Sequence, residues 1–521
     1  MWACTALFVG LLATSSVVTP LLQAPDEFAH VDLVLGVARD ANYPTYDGRR
    51  YSRAYYRWAG PYFGYSARDP RLTARAAPPK RARLGIDAMG GAQPDPKGKF
   101  NQQPQHPPLY YEAMALALRV ERFLMPGSDP PALTTEIAFL RLLNVLLLAP
   151  LPILAWACLV RLGVRRNVAI TGAALVLALP QLTHVGSTVN NDNLVIILGG
   201  AAAVPLTGVA RGDLRTSTVL RLAILLAAAV LTKGFAVMLV PWAVAAYVAG
   251  GWTVGSIRRS LRPIATLLGA TAIFGGWWYG YNLAREGSLL PSLEARLLPA
   301  SMAPRGFSPD PWWFTRRFAA FFVERFWGWF GLYSARLPVW VIALASVVLA
   351  GLVAVAAFVV HTPGGSRRGP GPRRVDVALA LLPLVLLTLF VARHAWTLYA
   401  RTSTTPFIQG RYLFTAVVPL VAVAAIGLDH LVGRRAAAVA VLMGVAMHLV
   451  AFTTMVHRFW GAPGEGWGKE LSALSAWSPY PTPALSIGAV VVAGLVVASL
   501  ALVWDDRPTE LARMPREAAD P

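Results

Sequence analysis

Two adjacent carboxylates, Asp26 and Glu27, follow the first apolar stretch of the chain, and His30 stands one helical turn further on. Carboxylates in that position can act as a general base, as ligands for a divalent cation, or as both. A charged stop at a helix end is the plain alternative. A stop requires no acidic pair, however, and Pro25 already marks where the chain turns. The imidazole of His30 serves either as a ligand or proton shuttle, or as a hydrogen-bonded structural group. A third acid, Asp192, follows Asn190 and Asn191 at the start of a later apolar stretch, where it either caps a helix or joins a site. Two cations lie at similar borders: Lys233 interrupts the apolar run 217–251, and Arg411 belongs to Gln409-Gly410-Arg411-Tyr412. Each alone suits an interfacial anchor. Two acids and two cations on one face suit a phosphate-bearing substrate whose reaction requires a base.

Whether they share a face depends on the elements that carry them. Of 521 residues, 55% are hydrophobic and 14% charged, against about a quarter charged in a soluble domain. Long apolar stretches alternate with short Arg-rich turns, which is the pattern of an all-α polytopic membrane protein. About twelve spans are expected, near 2–22, 135–162, 168–189, 193–210, 217–232, 235–251, 264–283, 338–360, 375–392, 411–432, 436–455 and 484–504. The first lacks a basic leading region and is longer than a signal-peptide core, so it reads as an uncleaved span. Cys4 and Cys158 fall in apolar segments, which excludes a disulfide framework. The net charge of +20 is explained by positive-inside topology and anionic lipid, without nucleic acid.

Five short basic loops set the orientation: Arg165-Arg166, Arg211 with Arg215, Arg258-Arg259 with Arg262, Arg367-Arg368 with Arg373-Arg374, and Arg434-Arg435. All fall on the cytoplasmic side only if 217–251 is a hairpin turning at Lys233-Gly234, with Gly234 easing the turn. Both termini are then cytoplasmic, and Asp505–Pro521 is a polar tail. Asp26, Asp192, Lys233 and Arg411 all fall on the outer side. Two long outer loops are expected, at 24–134 and 284–337. The first should hold a short helix near 28–38 and a surface helix at 109–124. The second interleaves Trp312, Trp313, Phe314 and the stretch 321–329 with Arg316, Arg317 and Arg325, as suits a helix lying among lipid headgroups. The outer half of the third span carries Gln181, Thr183, His184, Ser187 and Thr188. Such groups either line a cavity or form an interhelical network, the latter for Thr183 and Ser187.

In this order, the Pro25-Asp26-Glu27 and His30 motif, Asn191-Asp192, Thr232-Lys233 and Gln409-Gly410-Arg411-Tyr412 resemble the marks of a family of bacterial membrane proteins of unassigned activity. The layout is similar to the GT-C-fold glycosyltransferases. That resemblance implies one GT-C-like transmembrane domain over 1–504. It implies transfer of a sugar, with inversion, from a polyprenyl-phosphate donor to a glycan or glycolipid acceptor of the envelope, on the outer face of a bacterial plasma membrane. Asp26 and Glu27 are then the catalytic pair. His30, Asn191, Asp192, Lys233, Gln409, Arg411 and Tyr412 bind substrate. Glu27, Asp192 and His30 are the candidate ligands for a divalent cation such as Mg or Mn, which some GT-C enzymes do without. A lipid transporter or flippase without catalysis, or an envelope scaffold, would also explain the bundle. The sequence shows neither the repeated halves nor the broken midplane helices common in transporters.

Overall fold

The computed structural model describes residues 1–63, 71–124, 131–293, 297–361 and 371–504. The chain is almost wholly helical. In order the helices are α1 (Trp2–Val18), α2 (Glu27–Asp40), α3 (Arg53–Phe63), α4 (Leu109–Leu124), α5 (Leu133–Leu148), α6 (Leu151–Arg161) and α7 (Arg166–Leu175). Next come α8 (Pro180–Gly186), α9 (Asp192–Val209), α10 (Thr216–Val230), α11 (Leu239–Thr253), α12 (Arg258–Glu286) and α13 (Pro311–Trp327). The last are α14 (Val339–His361), α15 (Arg374–Thr402), α16 (Val417–Val432), α17 (Ala436–Phe459), α18 (Trp467–Trp477) and α19 (Thr482–Trp504). The strands among the described residues form one antiparallel hairpin, β1 (Trp329–Phe330) with β2 (Ala335–Arg336), pairing Trp329 with Arg336.

By length and composition, seven helical runs among the described residues could cross a membrane, or eight if the pair α7–α8 is one span. α1 and α10 are apolar but shorter, at 17 and 15 residues. The run Gly410–Phe459 has 50 residues. As one helix it would be about 75 Å long, far beyond the ~30 Å of a hydrocarbon core. It breaks instead at Gly433–Arg435, between α16 and α17.

Two local expectations need correction. The third apolar stretch is not a straight helix: it bends by 70° between Ala178 and Pro180, where proline offers no N–H to continue the ladder. The hairpin does turn at Lys233, but Gly234 is not among the residues with positive φ. A 3-10 turn, Gly234–Met238, makes the bend instead.

The basic loops gather at one end of the bundle. Arg211 donates to the Leu162 carbonyl at 3.2 Å and pairs with Asp376 at 2.9 Å. Arg373 reaches the Ala210 carbonyl at 2.8 Å and the Thr253 hydroxyl at 3.2 Å. Arg165 pairs with Asp429 at 2.6 Å, and Asn167 donates to the Gly433 carbonyl at 3.3 Å. α9, 18 residues long, ends among these loops and begins at Asp192. Its length is about 27 Å, close to one hydrocarbon thickness. Arg367-Arg368 and the tail Asp505–Pro521 lie outside the described residues.

At the other end α2 and α4 form as expected from the first long loop. The loop is pinned by a buried pair that no spacing in the sequence signals, Arg49 with Asp32 at 2.6 Å, to which Asn101 adds a 2.8 Å bond. α18 is a further element that the hydropathy pattern does not show. Arg83 of the first loop binds the Ala476, Trp477 and Ser478 carbonyls at its end.

Candidate active site

The adjacent acids part company at the start of α2. Asp26 is the N-cap residue, in the left-handed conformation (φ 63°), and its side chain makes no cap bond. It thus forgoes the usual reward of an acidic N-cap, and its carboxylate accepts a 2.7 Å bond from Arg411 Nη2 instead. Glu27 turns back into the protein and is fully buried against Arg141 of α5.

Arg411 continues the arrangement. Its Nε stands 3.0 Å from Asp192 Oδ2, and the other oxygen of Asp192 pairs with Lys233. Lys233 Nζ also donates to Asn191 Oδ1 at 3.1 Å. The result is a chain of alternating charge, Asp26–Arg411–Asp192–Lys233, assembled from the starts of α2 and α9, the turn after α10 and the approach to α16. Asn190 locks two of these ends together: it donates to the Pro25 carbonyl at 3.1 Å and accepts from the Asp192 amide at 2.9 Å. Gly410 is needed because a Cβ there would lie 2.0 Å from the Phe322 carbonyl, so α13 packs directly on its backbone.

Asn191 Nδ2, next to the ring, is buried without a hydrogen-bond partner, which is costly for a polar atom. Solvent reaches one acid of the ring. The Asp26 side chain is 39% exposed, against 2% for Asp192 and Arg411. Burial alone would push the Asp26 carboxyl up, but the charge and hydrogen bond of Arg411, with the charge of Lys233, hold it below the ordinary carboxylate value.

The remaining expected site residues surround this ring. The Tyr412 ring lies 4.9 Å from Lys233 Nζ, a cation–π contact that leaves the ammonium free to bond elsewhere. Gln409 accepts a 2.7 Å bond from the Tyr333 hydroxyl. His30 Nδ1 lies 2.9 Å from the Tyr111 hydroxyl, which itself donates to Gln103 Oε1 at 3.2 Å. Since the hydroxyl has one proton, it accepts from His30, leaving His30 Nε2 as the basic nitrogen. Burial pushes the imidazole down to about 3, so it is neutral at ordinary pH.

Glu27 does not join the ring. Its two oxygens accept from Arg141 Nε and Nη2 at 2.7 and 2.6 Å and from the Val189 and Leu22 amides at 3.1 and 2.9 Å. All its lone-pair directions are used, so neither the base role nor the metal role expected for it is open. His30 presents a basic Nε2 and Asp192 is shared between Arg411 and Lys233, and among the described residues no three His, Cys, Asp or Glu side chains are placed to hold a metal ion. Glu27, Asp192 and His30 are thus not gathered around one cation position.

One further contributor carries no signal in the sequence. Tyr333, in the turn of the β-hairpin, lies 3.3 Å from Arg411 Nη1. It sits in no local pattern that spacing could flag. The polar residues of α8 are structural: Thr183 bonds His448 at 2.9 Å, and Ser187 donates to the His184 carbonyl at 3.1 Å.

Residues 102–280 match the family described as dolichyl-phosphate-mannose-protein mannosyltransferase. Over that stretch, about a third of the chain, the protein is similar to this family. The stretch holds Asn191, Asp192 and Lys233 but neither Asp26 nor Arg411. Among solved structures, ArnT from Cupriavidus metallidurans bound to undecaprenyl phosphate has a TM-score of 0.44 at 13% identity, covering 96% of this chain and 77% of its own. The Archaeoglobus fulgidus oligosaccharyltransferase complex with Zn and sulfate has a TM-score of 0.43 at 12% identity, covering 89% of this chain and 54% of its own. The chain thus spans about half the length of that enzyme. No curated protein matches the chain.

Proposed function

We propose that this chain is a GT-C-type membrane glycosyltransferase that moves a sugar from a polyprenyl-phosphate donor to a cell-envelope acceptor. The observation that carries the reading is the ring Asp26–Arg411–Asp192–Lys233, which sets one accessible carboxylate beside two buried cations. The family match over 102–280 supports it. In this reading the donor phosphate lies against Arg411 and Lys233 and competes with Asp26 for Arg411 Nη2. Asp26, released, accepts the proton of an acceptor hydroxyl as that oxygen attacks the anomeric carbon from the face opposite the phosphate. The bond from the anomeric carbon to the phosphate oxygen breaks, and the departing charge is held by the two cations in a site of low dielectric. A phosphate leaves without a general acid, so one base suffices and the sugar inverts. Glu27 holds the end of α1 and the start of α2 in place and takes no proton.

The test is to incubate the purified protein with a panel of radiolabelled polyprenyl-phosphate sugars and envelope acceptors. Transfer of label to an acceptor is the expected result. Movement of intact lipid across vesicle membranes without transfer would replace this reading by that of a flippase.

The ring also belongs, in this reading, on the outer face of a bacterial plasma membrane, because the basic loops gather at the opposite end. Single cysteines at exposed positions of the first long loop, such as Asn42 just past the end of α2, should react with an impermeant maleimide in intact cells. Cysteines beside Arg165 should react only after permeabilisation. The reverse pattern would turn the protein over and place the site in the cytoplasm.

A further inference from the structure

The charges of the ring balance: Asp26 and Asp192 against Arg411 and Lys233. The neighbouring buried pairs, Glu27 with Arg141 and Asp32 with Arg49, balance as well. One cation next to the ring does not. Arg325, near the end of α13, has no carboxylate partner among the described residues, since adjacent Glu324 is taken by Arg336 at 3.0 Å. Its Nη1 donates to the Ile408 carbonyl at 2.7 Å, while its Nε is buried without an acceptor. Its guanidinium lies 4.0 Å from the centre of the Tyr333 ring, 5.1 Å from that of Phe321 and 5.2 Å from that of Trp329.

The aromatic cage holds the cation in place but cannot neutralise it. Tyr333, on the other side, lies 3.3 Å from Arg411 Nη1, so two guanidinium groups flank one tyrosine. The charge of Arg411 acts against that of Arg325, and an anion between them would relieve both. Tyr333 also has a left-handed backbone, with φ of 60°, a costly conformation for an aromatic residue that persists where surrounding contacts hold it. Those contacts are present: the Trp329 amide donates to Gln181 Oε1 at 2.9 Å, the Gly331 amide to His184 Nε2 at 3.1 Å, and Trp329 Nε1 to the Tyr333 carbonyl at 2.6 Å. The hairpin is thus a fixed arm that delivers a hydroxyl to the ring.

We infer that Arg325 and Tyr333 form a second phosphate-recognising element of the site, with Arg325 supplying the positive charge in excess of the ring and Tyr333 orienting Arg411 toward the same anion. The inference rests on the glycosyltransferase reading and assigns to the lipid phosphate two side chains from outside the matched stretch. It gives the donor three cations around one phosphate, the number at which an incoming monoanion or dianion meets net positive charge with both acids still ionised.

The experiment is direct binding of polyprenyl phosphate, without sugar, to the purified protein in detergent, with phosphatidylglycerol as a second titrant. The wild type, Arg325→Gln, Arg325→Lys and Tyr333→Phe are compared, with Arg411→Gln as the reference for loss of the ring. Loss of a charged hydrogen bond should weaken polyprenyl-phosphate binding in Arg325→Gln by roughly ten- to hundredfold. Arg325→Lys should recover part of it, because a point charge remains without the planar fork. Tyr333→Phe, which keeps the ring under Arg325, should show a smaller loss, and phosphatidylglycerol should bind all four alike. Wild-type affinity for polyprenyl phosphate in Arg325→Gln would overturn the inference, as would an equal loss of phosphatidylglycerol binding, which would make Arg325 a general headgroup contact. Failure of the wild type itself to bind polyprenyl phosphate would instead remove the functional reading beneath it.

Discussion

Replacing Asp26 with Asn should leave a folded protein that binds polyprenyl phosphate and has lost about 10²–10⁴ in turnover, the range for removal of a general base. The amide keeps an oxygen for Arg411 Nη2 and nearly the same shape, so the turn into α2 has no reason to change. The ring would then carry one carboxylate against two cations, so donor binding should be unchanged or tighter. The pH dependence gives a second check. In the free protein Arg411 holds Asp26 below the ordinary carboxylate value. The acid limb of kcat/KM for the donor, which reports the free enzyme, should therefore lie below that value. Once the phosphate has drawn Arg411 away and placed an anion nearby, the carboxyl pKa rises. The acid limb of kcat should then appear at higher pH than that of kcat/KM. The sign for stability follows from the same shift: the Asp26–Arg411 contact stabilises the fold above the unfolded carboxylate pKa and is lost as pH falls through the lowered one. Asp26→Asn should flatten that acid loss. Near wild-type turnover in the Asn variant, or coincident acid limbs, would sink the assignment.

The parity of the basic loops assigns Asp26, Asp192, Lys233 and Arg411 to one end of the bundle, and the four do meet there. That much is legible in the sequence because each span carries its own hydropathy and each short loop its own charge. What hydropathy cannot show is direction within a residue pair. Asp26 and Glu27 are neighbours in sequence, yet they face different partners, because the left-handed turn at Asp26 swings the following side chain inward. Arg141 lies 114 positions from Glu27, in a different helix, so no spacing rule connects them. The same holds for Asp32 with Arg49, and for Arg325, whose aromatic neighbours read equally well as a membrane-surface helix. Contacts closed by loops depend on how the loops are pinned, and in the first loop that pinning is done by buried ion pairs.

Breaking the Glu27–Arg141 pair should damage the protein more than any change in the ring. Arg141 uses all five of its donors: two on Glu27, two from Nη1 to the Ser16 and Thr19 carbonyls at 2.7 and 2.8 Å, and one from Nη2 to the Pro20 carbonyl at 3.0 Å. Those carbonyls close the end of α1, while the Val189 amide on Glu27 ties in the approach to α9. One ion pair thus joins α1, α2, α5 and the loop that carries Asn190 and Asp192. Removing one partner leaves a buried charge without compensation, which typically costs about 3–5 kcal/mol. Arg141→Ala and Glu27→Ala should both lower the thermal midpoint in detergent sharply and reduce the amount of protein in the membrane. Glu27→Gln should do the same to a lesser degree, since the amide replaces one acceptor oxygen by a donor facing Arg141 or a backbone N–H. The double variant Glu27→Gln, Arg141→Met should be less damaged than the sum of its parts, because no unpaired charge remains. The contrast with Asp26→Asn separates the two acids: one variant folds and does not turn over, the other turns over only to the extent that it folds. A stable, monodisperse Glu27→Gln protein with wild-type donor binding and no activity would return Glu27 to the chemistry and dissolve that division of labour.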